Sequence, residues 1–198
     1  LTMTQDQIKA YFQWEAERIA NAGITWNRTL SPAGGQFSWY RIEFNRGILN
    51  WNIGDALVSA CQEKNIKLLA LVKPYAIWDQ PDKTDRDYGK PNDMEAFKNF
   101  LKTMVERYDG DGLFDMPGLK SGYGVKHWEI CNEPELGKYG GSQAGAKQYR
   151  DYLDTLKAAY EAIKAADPEA KVLNAGTSPI FNPTTGNFEQ KVWDFWYN

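Results

Sequence analysis

The triplet Asn132, Glu133 and Pro134 closes the strand-like run VKHWEICNEPEL, Val125 to Leu136, and a carboxyl group placed there can do proton chemistry. In a period-two strand Val125, His127, Glu129, Cys131 and Glu133 share one face, and Lys126, Trp128, Ile130 and Asn132 share the other. Pro134 cannot donate to a sheet ladder, so pairing is expected to stop there. Glu133 is thereby expected at the carboxyl rim of a sheet, where open and closed α/β folds both place their ligands. Glu129, one layer deeper on the same face, reads as a buried, hydrogen-bonded or ion-paired residue and not as a reactant.

A second group of carboxylates lies in DGDGLFD, residues 109–115. Asp109, Asp111 and Asp115 resemble part of a calcium loop, in which closely spaced acids and glycine-permitted turns gather oxygen ligands for a structural Ca²⁺. No glutamate stands at the twelfth position of an EF-hand loop, which excludes that motif, and a solvated Asp-Gly turn is the plainer reading. Asp79, Asp82, Asp85 and Asp87 form a looser acidic loop, read as solvated. His127 has no partner of metal-ligand spacing nearby, and Cys61 and Cys131 read as two buried thiols.

The elements that must position these groups alternate between helix and strand. Thr4 and Gln7 form a capping box for a helix with Ile8, Tyr11, Phe12 and Ile19 on its stripe, ended by Gly23. ITWNRTL, residues 24–30, reads as a strand, followed by a loop rich in glycine and aromatics to about Asn52. A helix from Ile53 to Lys64 and a strand IKLLALV, residues 66–72, come next. Beyond a polar loop, Asn92 with Glu95 opens a helix striped by Met94, Phe97, Leu101, Met104, Val105 and Tyr108. The strand bearing Glu133 leads to a helix from Ser142 to Ala166, with Tyr149, Tyr152, Leu153, Leu156, Tyr160 and Ile163 on one face, and then to the strand KVLNAGT from Lys171.

Each of the four strands ends near a proline: Pro32, Pro74, Pro134 and Pro179. Strand, loop, helix and strand in succession imply a parallel sheet, either open and doubly wound or closed as a barrel. No GxGxxG follows any strand, which argues against a nucleotide-binding open sheet. A complete (β/α)8 barrel typically needs about 250 residues. The fold class expected for residues 1–198 is therefore α/β: a single partial (β/α)8 TIM barrel running from helix one to strand five with a following segment.

A net charge of -3 with mixed signs offers no basic stripe for a phosphate backbone, so nucleic acid is not an expected partner. No apolar run reaches the roughly 20 residues of a membrane span, and LTMTQDQIKA lacks the regions of a signal peptide. Residue 1 is not Met, so an upstream segment is expected, removed or unrecorded. Eight Trp, eleven Tyr and nine Phe are the outlier of the composition; much of this must be core, yet Trp and Tyr near loops also stack on sugar rings.

VKHWEICNEP resembles the strand-four motif of the retaining glycoside hydrolases of clan A, the superfamily of cellulases, β-xylosidases and β-galactosidases. ITWNRTL resembles the clan's strand two, whose arginine, here Arg28, lies near the catalytic carboxylates. The stretch from Trp51 through IKLLALVKPYAIW resembles helix two and strand three. YRDYLDTLKAAYEAIKAADPEAKVLNAG resembles helix four and strand five of the xylosidase and iduronidase-like branch. Together these cover residues 4–178.

The resemblance implies that Glu133 is the general acid/base and that Asn132 hydrogen-bonds the sugar 2-hydroxyl. Cleavage needs one acid to protonate the leaving oxygen and one carboxylate to attack the anomeric carbon, about 5 to 5.5 Å apart in retaining enzymes. An acid that must hold its proton near neutral pH needs burial or a like-charged neighbour. The clan's nucleophile is a glutamate at the end of strand seven, beyond the part that these residues resemble, and Glu189 is a poor substitute because its place suits a loop or fifth helix. Arg28 sits either at the site or in a structural pair with Glu129. Lys73, Tyr75 and Trp78 follow strand three and are expected to overhang the rim, where they bind or stack on sugar or simply pack, and Glu135 either bonds substrate or solvates its loop.

The implied function is that of a retaining β-glycosidase acting on a polysaccharide or oligosaccharide, with a carbohydrate substrate, no required cofactor and a secreted or extracellular location. The alternative is a non-catalytic carbohydrate-binding or scaffold module derived from such a barrel. The missing barrel half is expected from a second segment or chain, or from a homodimer, because four or five βα units leave sheet edges and apolar faces open.

Overall fold

The computed structural model describes residues 3–29, 35–80, 89–136, 146–179, 181 and 184–188, with the side chains of 136 and 146–148 left aside. Four strands, β1 (Trp26–Arg28), β2 (Lys67–Val72), β3 (His127–Ile130) and β4 (Lys171–Asn174), form one parallel sheet in sequential order. Among the described residues five helices accompany them: α1 (Gln5–Asn21), α2 (Trp39–Ile42), α3 (Asn52–Glu63), α4 (Met94–Tyr108) and α5 (Ala146–Ala166).

Alternation along the strands gives the sheet two unlike faces. Leu68, Ala70 and Val72 of β2 and Trp128 and Ile130 of β3 are buried in one core with Phe12 and Ala16 of α1, Leu57 and Cys61 of α3, Phe97 and Leu101 of α4, and Ala159 and Ile163 of α5. The other face carries Trp26, Arg28, Lys67, Leu69, His127, Glu129, Lys171 and Leu173. On it Leu69, His127 and Leu173 are only half-buried and Trp26 is 43% exposed.

The capping box of α1 is present, with Gln7 N donating to Thr4 Oγ1 at 3.2 Å and Thr4 N donating to Gln7 Oε1 at 2.8 Å. Two details of the other helices correct the expectation. Asp93, not Asn92, caps α4, its side chain accepting from Ala96 N at 3.0 Å. Asn92 is occupied instead with Asp79, which accepts from Asn92 N and Asp93 N at 2.8 Å each. Asp79 is therefore buried and structural, not solvated; Asp82, Asp85 and Asp87 lie outside the described residues. In α5 the buried stripe runs through Tyr152, Ala159, Ala162 and Ile163, while Leu153 and Tyr160 face outward at 38% and 53% exposure. Two of those inner positions, Ala159 and Ala162, are small where α5 lies against α4 and the sheet. The start expected at Ser142 lies outside the described residues.

The aromatic-rich segment after β1 is not simply a loop. It contains α2 and sends Phe37 and Trp39 fully into the core. Trp39 packs on Phe97 and Phe100 of α4 at 5.3 and 6.0 Å, and Phe37 meets Tyr108 and Trp128 edge-on at 5.5 and 5.7 Å. The Trp39 indole N–H donates to Glu43 Oε2 at 2.6 Å, and Gly47 N donates to Glu43 Oε1 at 2.6 Å, so this buried acid closes the turn. Cys61 and Cys131 are both buried thiols outside any disulfide, and burial pushes Cys61 up to about 12. Among the described residues no helix is long and apolar enough to cross a membrane.

Val125 N donates to Tyr108 O at 2.8 Å, bringing the entry to β3 against the end of α4. A Cβ on Gly124 would fall 2.1 Å from Asp109 O and 2.8 Å from Asp109 C, and backbone cannot yield as a flexible side chain can. Gly124→Ala should therefore destabilise the chain by about 3 kcal/mol or more, within the large-effect class of backbone clashes. A urea midpoint within error of the parent would contradict this packing.

Candidate functional site

The strand that bears the Asn-Glu-Pro triplet stops three residues before Glu133. β3 ends at Ile130, and Cys131 turns into the left-handed region at φ 72, as does Glu133 at φ 45. The strict alternation expected through Glu133 is thus broken. Cys131 is buried against Tyr152 and Ala175, and Asn132 swings to the side of Glu129. A single 3-10 turn, Pro134–Leu136, follows. Non-glycine residues with positive φ cost about 1 to 3 kcal/mol and persist where surrounding contacts over-determine them.

Those contacts are on hand. Cys131 N donates to Val72 O at 2.9 Å, and Glu133 N donates to Gly176 O at 2.9 Å, so the bent segment is held between β2 and the chain leaving β4. The Tyr152 hydroxyl, fully buried, donates to Ile130 O at 3.2 Å and accepts from Ala175 N at 2.7 Å. It bridges the two strands where their ladder ends.

Arg28 reaches across from β1 and holds the site together. Its Nε donates to Glu129 Oε2 at 2.6 Å, and its Nη2 donates to Glu129 Oε1 and to Asn132 Oδ1 at 2.7 Å each. This is the two-pronged arginine–carboxylate geometry that fixes orientation as well as charge. Gly176 N adds a further bond to Glu129 Oε1 at 3.1 Å. Arg28 thus makes the structural pair with Glu129, which is buried as expected, and it also binds Asn132, the residue next to Glu133. With Oδ1 accepting from Arg28, Asn132 presents its amide NH₂ as a donor. Asn132 and Glu133 are both half-buried at the carboxyl end of the sheet.

The flanking candidates sit lower than expected. Lys73 and Tyr75 are 5% and 3% exposed, so they do not overhang the rim. The chain leaving β2 dives inward, with Lys73 O accepting from Trp39 N at 3.1 Å and the Tyr75 ring lying 5.9 Å from that of Tyr40. Trp78 is half-buried, edge-on to Trp39 at 5.2 Å with the Arg46 guanidinium 4.9 Å over its ring. Glu135 is 2% exposed, and its Oε1 accepts from Ser178 N, tying the acid-bearing turn to the segment after β4. Glu135 Oε2 is buried without a hydrogen-bond partner among the described residues. Glu189 lies outside them.

Sequence reasoning missed Tyr152, Gly176 and Ser178 as supports of the turn. Tyr152 was visible as a core position, but nothing in its spacing signals what its hydroxyl bridges.

The carboxylates of Asp109, Asp111 and Asp115 converge, with one oxygen of each within 4.8 Å of the others. Each also accepts from the loop backbone: Asp109 from Asp111 N, Asp111 from Leu113 N, and Asp115 from Gly110 N and Gly112 N, at 2.7 to 3.2 Å. These bonds are those of an Asp-Gly turn and account for the convergence. Burial pushes the Asp109 carboxyl up to about 6, with Asp111 and Asp115 adding repulsion against the Asp111 N–H and Lys126. A folded-state value above the unfolded one means that the folded chain keeps this proton longer. The stability it contributes is complete below the unfolded value, about 3.9, and is lost as pH rises through about 6. Asp109→Asn keeps Oδ1 for Asp111 N and should flatten that decline and raise the melting temperature at pH 7 in the presence of chelator. Identical pH profiles for the two proteins would contradict it.

No protein-family model and no curated protein sequence matches the chain. Solved structures do. A family 39 glycoside hydrolase from Bacteroides cellulosilyticus WH2 aligns at TM-score 0.58 and 21% identity, over 83% of this chain and 29% of its own. An endo-1,4-beta-mannanase from Rhizomucor miehei aligns at TM-score 0.57 and 20% identity, over 96% and 57%. A xylanase from Paenibacillus barcinonensis aligns at 0.54 and 17%, over 93% and 51%. This chain thus spans between 29% and 57% of the length of these three structures. At such identities the likeness is one of fold: the parallel sheet and its helices are shared with portions of several glycoside hydrolases.

Proposed function

We propose that the chain is part of the (β/α)8 barrel of a retaining glycoside hydrolase of clan A, with Glu133 as its general acid/base. The observation that carries this is the linkage Glu129–Arg28–Asn132, which sets the amide of Asn132 beside a half-buried glutamate at the carboxyl end of a parallel strand. Sequential strand order supports the barrel, since doubly wound sheets reverse their order at a switch point and these four strands do not. The fold shared with a xylanase, a mannanase and a family 39 enzyme supports the glycosidase reading.

In this reading Glu133 gives its proton to the glycosidic oxygen as the bond to the anomeric carbon breaks and a second carboxylate attacks that carbon. The Glu133 carboxylate then takes a proton from water, whose oxygen displaces the enzyme carboxylate. Asn132 donates its NH₂ to the sugar 2-hydroxyl, and Arg28 keeps it in place. The nucleophile comes from the strands that complete the barrel, on a second segment or chain. The substrate is a β-linked xylan-, mannan- or galactoside-type saccharide.

The test is the native protein itself. An intact mass well above 22.6 kDa, or a co-purifying segment with a strand-end glutamate, together with hydrolysis of an aryl β-xyloside, β-mannoside or β-galactoside, is the expected result. Native protein of 22.6 kDa that retains an oligosaccharide and hydrolyses none would support the binding-module alternative instead.

A further inference from the structure

The face of the sheet opposite the helices is charged at its amino-terminal end. Trp26, Lys67, His127 and Lys171 lie together there on adjacent strands. The Lys67 ammonium stands 5.5 Å from the centroid of the Trp26 ring, whose edge meets the His127 ring at 4.8 Å. Burial lowers the affinity of His127 for a proton, and Lys67 and Lys171 lower it further, so both lysines act on this one point. The carboxyl half of the face is balanced, Arg28 against Glu129. The amino-terminal half is not, since among the described residues neither Lys67 nor Lys171 is paired with a carboxylate.

Half-buried Leu69 and Leu173 and exposed Trp26 on the same face show that it is built to be covered. Among the described residues β1 and β4 are the edges of the sheet, and pairing through them would let a second copy close an eight-stranded ring by a two-fold axis. That closure would bring two Lys67 and two Lys171 ammonium groups into one interior with no counter-charge among the described residues, and burying unpaired charge is strongly unfavourable.

We propose that this face is covered by a segment that turns carboxylates toward Lys67 and Lys171, and not by a second copy of this chain. This rests on reading the sheet as an open part of a barrel and is independent of Glu133.

The test uses the chain and its double variant Lys67→Glu/Lys171→Glu, in which the exposed side chains reverse their charge. Each 198-residue chain alone should sediment at 22.6 kDa, and the equimolar mixture of the two should give a species of twice that mass. The mixed pair should associate at least ~10-fold more tightly than either does with itself and should weaken as salt is raised. His127 is the only histidine, so its single imidazole NMR signal must shift in the mixture if this face is the contact. Should the double variant lose its fold, Lys171→Glu alone carries the same expectation. Self-association of the unmodified chain with a shifted His127 signal would overturn the proposal while leaving barrel closure intact. A mixture that stays monomeric would overturn it as well.

Discussion

Replacing Glu133 by alanine in the native protein should lower kcat/KM for an alkyl or oligosaccharide β-glycoside by about 10²- to 10⁴-fold, the usual worth of a positioned general acid. Such leaving groups cannot depart without a proton. An aryl β-glycoside with a strongly activated phenol needs little protonation and should lose far less in the bond-breaking step, so the ratio between the two substrates is the informative quantity. A general fold defect would depress both alike. The substitution should leave the fold itself nearly intact, because the Glu133 bond that holds the turn is the backbone one to Gly176 O. Undiminished turnover of the poor substrate would remove Glu133 from the mechanism.

The second large effect belongs to Arg28. Glu129 is 4% exposed, and without the guanidinium only Gly176 N would remain bonded to it among the described residues. Breaking a buried pair by deleting one partner typically costs 3 to 5 kcal/mol. With 35% of the Arg28 side chain exposed, Arg28→Ala should fall at the lower end, about 3 kcal/mol. Arg28→Ala combined with Glu129→Leu should recover part of that loss, since no unpaired charge is then buried. A positioning role requires something more than instability: at a temperature where both variants are folded, kcat should still fall, because Asn132 has lost the partner of its Oδ1. Stability loss with unchanged kcat would reduce Arg28 to a structural pair.

How far the residues foretold this arrangement varies with the physics involved. The strands were legible because IKLLALV is a compact apolar run and HWEI alternates polar with apolar residues between turn signals, and parallel pairing followed from the intervening helices. The faces of α4 were legible for the same reason, since an amphipathic stripe at helical spacing is a one-dimensional property. What was not legible is set by contacts distant in sequence. Asp79 is buried because two backbone N–H groups thirteen and fourteen residues later converge on it. The inward faces of α5 are decided by α4, and so Leu153 and Tyr160, apolar by type, point to solvent.

The site shows the same division. Asn132, Glu133 and Arg28 were marked by their types and by flanking motifs. Their relation was not, because alternation carried straight through Glu133 assigns Asn132 to the wrong face. The left-handed turn at Cys131 undoes that alternation, and no glycine or asparagine there announces it. The turn is imposed from outside by Val72, Tyr152 and Gly176. Tyr152 to phenylalanine should thus cost about 1 to 3 kcal/mol, by leaving Ala175 N and Ile130 O unpaired in the interior, as read from a urea midpoint.

The most direct measurement of the central claim is the product formed by Glu133→Ala native protein when an activated aryl β-glycoside is supplied with sodium azide. If Glu133 is the acid/base of a double displacement, azide replaces water as the second nucleophile without needing a base. The expected result is restored turnover and a β-glycosyl azide, the configuration of the substrate. An α-glycosyl azide would make Glu133 the nucleophile, and turnover unchanged by azide would leave it outside the reaction; either result contradicts the assignment.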